Sequence, residues 1–399
     1  MTGKISPLLT LLVWVLSACG GGGGGGGASP AAVSAPPGPS QIPPYVYNPP
    51  EDTLDGWEVA HLADQQFDVD RIERLVDDMN RGNIEGMDAI AIARRGELLL
   101  VERFARELDE FDRWIGNRDA ERHVLHSASK SFASVLIGIA IDQAYIGGVE
   151  APYYPFFDYA DYDNWDGRKV NMTLEHVLTM QLGIQWDEWD VPYGDEANDL
   201  TQLTRTRDWT KTLLDLPMVG QPGLDFVYNT AATTSLCDVL GRVSGISSTE
   251  FSQAFLFEPL QIESAEWDLT PTGHCVGGSG LFLTARDMAK LGQVFLDDGQ
   301  WLGQQIISAD WVARSVEPAV SLGGDFTSGY GYQWWLGDFE VTGSRYPFYS
   351  AQGYGGQYLV VIEELDLVVV LFAQNYTNGL ATLGLQLIEE EIIPSILDR

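Results

Sequence analysis

His126-Ser127-Ala128-Ser129-Lys130-Ser131-Phe132-Ala133-Ser134-Val135-Leu136-Ile137-Gly138-Ile139-Ala140-Ile141 is the stretch whose reading decides the fold. From Phe132 onward the apolar residues run almost unbroken, which suits a buried helix and is too long for one strand. Gly147-Gly148 marks where that helix has ended. Ser127 falls at its first turn and Lys130 one turn later, on the same face with Cβ atoms about 5–6 Å apart. A hydroxyl and an amine side by side at the positive end of a buried helix are what a lysine-activated serine nucleophile requires. S-x-x-K also describes surface helix starts with a capping Ser and a solvated Lys. Two facts weigh against that plainer reading. Lys4, Lys130, Lys169, Lys211 and Lys290 are the only lysines in the chain. Placing one of them at the head of an apolar helix also costs desolvation energy unless the site compensates.

Outward from this helix, the bulk numbers set limits. The 399 residues are 45% hydrophobic and 20% charged, enough for one large domain or two with a sizeable core. A net charge of −34 repels phosphate backbones and anionic lipid, so neither nucleic acid nor direct membrane adsorption is expected as a partner.

Residues 1–19 read as an export signal, with Lys4 as the positive start and Leu8 to Leu16 as a short apolar core. That core is too short to span a bilayer as a helix. Leu16-Ser17-Ala18-Cys19 resembles the bacterial lipobox, which implies lipidation at Cys19; an ordinary cleaved signal with a chance Cys is the alternative. Residues 20–63 open on Gly20 to Gly27 and continue Pro-, Ala- and Ser-rich to about Pro50, a flexible tether. The folded body is placed at 64–399. These segments together predict an exported protein, lipid-anchored in the bacterial cell envelope. Gly20 rather than Asp after Cys19 points to the outer membrane.

Within the body, Val69 to Met79 has helical spacing, and Met87 to Ala93 with Glu97 to Phe104 reads as a hairpin. Tyr153 to Trp165 is an aromatic and acidic loop. Leu174 to Met180, Ala232 to Val243 and Ala285 to Leu296 read as helices, the last capped by Thr284. Tyr358 to Ile362 and Leu367 to Ala373 form a second hairpin, and Thr382 to Ile393 a closing helix. The expectation is α/β of the α+β type: an antiparallel sheet from both chain termini, flanked by helices, with an inserted helical region.

Two further stretches carry chemistry. Pro222-Gly223-Leu224-Asp225-Phe226-Val227-Tyr228-Asn229-Thr230 sets a turn and then a Tyr just before an apolar helix. Gln352-Gly353-Tyr354-Gly355-Gly356-Gln357 is a glycine-rich edge, where a substrate can approach the backbone and a free N–H can meet a developing oxyanion. Singly, each also has a structural explanation: a core tyrosine, or a bulge at a sheet edge.

In this order and at these intervals, the three stretches resemble the serine β-lactamase and penicillin-binding-protein superfamily. The resemblance is strongest to its class C branch, with the family VIII esterases and 6-aminohexanoate-dimer hydrolases, and runs from about Phe67 to Leu397. S-x-x-K falls on Ser127 to Lys130, Y-x-N on Tyr228-Asn229-Thr230, and K-T-G on Ala351-Gln352-Gly353. Leu178 to Gly183, Gly280 to Asp287 and Tyr330 to Trp335 also look familial. The resemblance implies that Ser127 attacks a carbonyl to form an acyl-enzyme and that Lys130 and Tyr228 handle the proton. It implies an oxyanion hole from the backbone N–H groups of Ser127 and Tyr354. No metal or organic cofactor is implied. Reference pKa values of about 10 for lysine and tyrosine mean that the site must shift at least one of them.

Two departures limit what carries over. Ala351 and Gln352 stand where the family has Lys and Thr, so the usual anchor for a substrate carboxylate is missing. Thr230 replaces the Asn that commonly binds a substrate amide. Substrate contacts are therefore expected from Thr230, Ala351, Gln352 and Gly353, with Trp186 and Trp334 lining an apolar acyl pocket; Trp189 and Trp335 are further candidates, and core packing is the alternative for some of the four. His123, His126, His176 and His274 show no metal-binding spacing. Cys237 and Cys275 either pair or remain as buried thiols. The leading expectation is an exported serine hydrolase acting on a small-molecule ester or amide. A β-lactamase or D-alanyl-D-alanine carboxypeptidase is the enzymatic alternative, and a non-catalytic envelope binding protein the alternative of another class.

Overall fold

Strand β1 is Glu58–Val59, β2 Met87–Arg94 and β3 Glu97–Arg103. Arg95 and Gly96 join β2 to β3 at φ 52° and 82°. Positive φ at both central residues is what a two-residue hairpin demands. The computed structural model describes residues 42–104, 122–324 and 326–397; Cys19 and the glycine run lie outside them. Strand β4 (His123–Val124) pairs with β6 (Leu281–Leu283), which also pairs with β5 (Glu266–Trp267), and β7 (Gln300–Trp301) pairs with β8 (Gln304–Gln305). The C-terminal strands are β9 (Val320–Ser321), β10 (Thr327–Tyr330), β11 (Trp335–Val341), β12 (Ser344–Gly353), β13 (Gln357–Ile362) and β14 (Leu367–Ala373). They complete a nine-stranded sheet ordered β1-β3-β2-β14-β13-β12-β11-β10-β9. All its pairings are antiparallel except β1 on β3, so a sheet built from both chain termini is observed.

Both faces of the sheet are covered, which is why β2, β13 and β14 are buried along their whole length. Strand alternation sends Ile90, Ile92, Val360 and Val369 to one face, under helix α1 (Val69–Asn80) and the C-terminal helical segment. Ala89, Ala91, Leu359 and Val368 face the larger core, which holds helices α2 (Ser129–Asp142), α3 (Thr230–Ser244) and α4 (Ala285–Leu296). Thr284 caps α4 by accepting from the backbone N–H of Asp287, as its position implies. No helix among the described residues is long and apolar enough to cross a membrane.

Three expectations change. The body starts before residue 64: Tyr47, Trp57 and Leu62 are buried, and the Tyr47 hydroxyl donates to Leu99 O at 2.8 Å while accepting from Leu62 N at 3.0 Å. A few apolar anchors suffice to dock a proline-rich segment, although its average composition reads as linker. The helix expected over Leu174 to Met180 ends at Leu178, because Met180 turns to φ 59°. The hairpin β11–β12, joined by Thr342-Gly343 at φ 51° and 82°, was not expected at all. Asp338 and Glu340 alternate with buried Phe339 and Val341, and Arg345 and Pro347 with buried Tyr346 and Phe348, a period-2 signal that sequence reasoning missed; the end of β12 lies beside the site.

Candidate active site

Ser127 lies in a single 3-10 turn, His126–Ala128, that leads into α2, rather than inside the helix itself. His126 takes φ 46° to make that turn, an uncommon conformation for a residue other than glycine. Its Nε2 lies 3.1 Å from the Tyr376 hydroxyl, and its ring packs edge-on against Tyr354 and Tyr376. Burial, aided by His123 and Lys130, pushes the His126 imidazole down to about 3. It is therefore neutral.

Lys130 is fully buried, and its Nζ has three partners: Ser127 Oγ at 3.0 Å, Thr230 Oγ1 at 2.9 Å and the Gly278 carbonyl at 2.7 Å. Burial lowers its pKa from 10.5 to about 7, against an opposing pull from Glu188. Near neutral pH a large fraction of Lys130 is thus the free amine, with two N–H donors and one lone pair. The Gly278 carbonyl can only accept. Thr230 Oγ1 already donates to Glu188 Oε1 at 2.7 Å, so it too must accept from Lys130. Both N–H bonds are then committed, and the lone pair is left for the Ser127 hydroxyl.

The Tyr228 ring lies beneath the Lys130 amine, 4.6 Å from Nζ to the ring centroid. Burial raises its pKa well above the ordinary value, reinforced by Tyr330 and Glu188 and opposed by a hydrogen bond with Ser127. It is a neutral phenol. Asn229 starts α3 by accepting from Ala232 N at 2.8 Å, which fixes Tyr228 and Thr230 on either side of the cap.

Two glycines permit these approaches. A Cβ on Gly353 would lie 2.1 Å from Leu125 O, so only glycine lets the end of β12 meet the backbone just before Ser127. A Cβ on Gly278 would lie 2.4 Å from Thr230 O, which is how the carbonyl under Lys130 reaches α3.

The expected substrate contacts fare unequally. Thr230 is buried, and its hydroxyl is spent on Lys130 and Glu188, so it supports the amine rather than a substrate. Ala351 has no exposure and points into the larger core, because strand alternation turns it away from the open side. Trp334 is likewise sealed, against Phe295 and Tyr349. Trp186 is buried with its Nε1 donating to Glu188 Oε2 at 2.8 Å. Core packing is the role of all three. Gln352 and Gly353 are partly exposed, as is Ser127, and Tyr354 is 38% exposed. The tryptophan at the mouth is Trp189, 56% exposed and stacked on Tyr228 and Trp335 at 4.8 and 6.2 Å between ring centroids.

Sequence reasoning missed Glu188, Gly278 and Tyr330. Glu188 sits in Trp186-Asp187-Glu188-Trp189, which reads as one more acidic loop in an acidic chain. Only tertiary packing shows that this carboxylate is buried while Asp187 is exposed. Gly278 acts through its carbonyl, for which no side-chain signal exists. Cys237 and Cys275 are both free and buried. Among the described residues no group of His, Cys, Asp and Glu is arranged to hold a metal.

Comparison with known proteins agrees with this geometry. The Beta-lactamase family profile matches residues 72–390. The 6-aminohexanoate-dimer hydrolase of Paenarthrobacter ureafaciens is 29% identical over 297 residues, 69% of this chain and 71% of that protein. A Bacillus anthracis structure assigned as a 6-aminohexanoate-dimer hydrolase superposes with a TM-score of 0.65 at 21% identity, covering 88% of this chain and 91% of that one. The penicillin binding protein from Bacillus halodurans gives 0.59 at 18% identity, over 77% of this chain and 98% of that one. At such identities these two structures speak to the fold alone. Motif spacing, sheet order and a family match over most of the body converge: the chain belongs to the Beta-lactamase family and is a hydrolytic enzyme.

Proposed function

We propose that the protein is a serine hydrolase cleaving small esters or amides through an acyl-enzyme on Ser127. The observation that carries this reading is the hydrogen-bond set of Lys130, which leaves its lone pair facing Ser127 Oγ. Lys130 takes the hydroxyl proton as Oγ bonds to the substrate carbonyl carbon. Tyr228, still protonated, gives its proton to the departing oxygen or nitrogen as the scissile bond breaks, and Lys130 returns a proton to the phenolate. Water then attacks the acyl-enzyme by the reverse sequence. The backbone N–H groups of Ser127 and Tyr354 serve the oxyanion. In support, neither donates to another backbone carbonyl among the described residues, and Gly353 brings their two segments together.

The mouth favours a neutral, apolar acyl group. Trp189 stacks on Trp335, Tyr193 packs edge-on against Tyr354, and Ala351 stands where the family has the K-T-G lysine. A fluorophosphonate probe should label the wild type and fail on a folded Ser127→Ala variant, which should also lose ester turnover by at least about a thousandfold. p-Nitrophenyl esters should be turned over readily and nitrocefin poorly. Labelling of Ser127→Ala would overturn the nucleophile, and efficient nitrocefin turnover the substrate class.

A further inference from the structure

Glu188 is a buried carboxylate whose two oxygens are both occupied. Oε2 accepts from Trp186 Nε1 and from Thr230 N, each at 2.8 Å. Oε1 accepts from the Thr230 hydroxyl at 2.7 Å and the Tyr193 hydroxyl at 3.2 Å. A charge taken out of water persists only when its hydrogen bonds are met, and these four donors meet them. Thr230 is thereby gripped at both its N–H and its Oγ–H. A threonine hydroxyl free to rotate could donate to Lys130 as readily as accept, and the amine lone pair would then have no fixed direction. Taking the hydroxyl proton removes that freedom.

We propose that Glu188 is a positioning residue: acting through Thr230, it aims the Lys130 lone pair at Ser127. This inference rests on the serine-hydrolase reading above. The groups facing Lys130 are few: Ser127, Thr230 and the Gly278 carbonyl by hydrogen bond, the Tyr228 ring beneath it, and the neutral His126 nearby. Around Glu188 stand Trp186, Tyr193 and Thr230, with Tyr228 and Tyr330 close enough for its charge to raise both phenols. Both phenols are neutral at physiological pH. Among the described residues, the charge that opposes the effect of burial on Lys130 is that of Glu188. Removing it makes protonation of Lys130 harder, so the acid limb of activity must move to lower pH.

The test is the rate of fluorophosphonate labelling of Ser127 against pH in the full-length protein. Wild type should lose reactivity below pH of about 7. Glu188→Gln should shift that limb acidward by about one unit, a tenfold change in relative rate on the limb, even as its plateau falls. Glu188→Asp keeps the charge and should leave the limb in place with a lower plateau. Thr230→Val cuts the hydroxyl bridge with little change in volume; its plateau should drop at least tenfold without an acidward shift, and Thr230→Ser should restore it. A purely structural role would lower plateaus and move no limb. An unshifted limb in Glu188→Gln, an acidward limb in Glu188→Asp or a wild-type plateau in Thr230→Val overturns the proposal. Should Glu188→Gln fail to fold, an acidward limb in Glu188→Asp or a wild-type plateau in Thr230→Val still overturns the proposal. Absent labelling of the wild type sinks the serine reading instead, a separate result.

Discussion

At the scale of single residues, Lys130, the proposed base, costs the fold stability. Its pKa falls from 10.5 unfolded to about 7 folded because burial disfavours the charged amine. Between those values the unfolded chain binds more protons, so this residue makes stability rise with pH and weakens the fold below the folded value. The full penalty is about 5 kcal/mol in acid, and it disappears above pH of about 10.5. Lys130→Met removes the penalty but leaves the Gly278 carbonyl unpaired at about 1–3 kcal/mol. Urea unfolding should therefore find Lys130→Met more stable than wild type at pH 6 by about 2–4 kcal/mol, with the advantage gone near pH 10. An advantage that does not vary with pH would show that Lys130 titrates normally. The same shift sets activity: kcat/KM for a neutral ester should rise through pH of about 7 and hold level to about 10, since burial lifts Tyr228 well above its usual value. Lys130→Ala and Tyr228→Phe should each lose several orders of magnitude, and the double variant little more than either, because both act on one proton.

At the scale of elements, the candidate site forms where the end of a strand and the start of a helix are brought together by backbone. The end of β12 meets Leu125 through Gly353, and a Cβ there would lie 2.1 Å from Leu125 O. Gly353→Ala should push Tyr354 away from Ser127, costing about 1–3 kcal/mol by thermal unfolding and at least tenfold in labelling of Ser127. Gly343, in the β11–β12 turn at φ 82°, is the control: a Cβ there meets nothing within 4 Å. Gly343→Ala should cost about 1 kcal/mol from backbone strain and leave labelling unchanged. Equal losses of activity in the two variants would refute the close-approach argument. Elements with strong periodicity or clear turn chemistry were legible in the sequence: α2, the β2–β3 hairpin, and α4 with its Thr284 cap. Ser127, Lys130 and Tyr228, which the structure brings together, could be singled out because Ser127 and Lys130 open one apolar helix and Tyr228 precedes another. The orientation of Ala351, Trp186 and Trp334 was not, since one step of strand register or one loop turn exchanges cleft for core. Glu188 and the Gly278 carbonyl depend on contacts between segments far apart in the chain.

At the scale of the whole molecule, the charge of −34 acts on the folded state as a self-repulsion that no local contact removes. The 57 acidic residues outnumber 23 basic ones, so most carboxylates have no cationic partner. Salt screens such repulsion, with a Debye length of about 30 Å at 0.01 M shrinking to about 3 Å at 1 M. The compact state gains more than the unfolded chain, whose charges are farther apart, so the melting temperature should climb by several degrees between about 0.01 and 0.5 M sodium chloride. The ion pairs weaken under the same screening, but pairs such as Arg205–Glu196 are exposed and contribute little. Burial protects Lys130, Glu188 and Tyr228 from salt, so kcat/KM for a neutral p-nitrophenyl ester should stay constant over that range. A proposed anchor at Cys19 would hold this acidic body near an envelope surface, where Cys19→Ser should move the protein from the membrane to the soluble fraction. A body that repels anionic lipid gives that variant no second means of attachment. Two outcomes would count against this picture. A melting temperature that falls with salt would mean that paired charges outweigh the net excess, and retention of Cys19→Ser on membranes would place the anchor elsewhere.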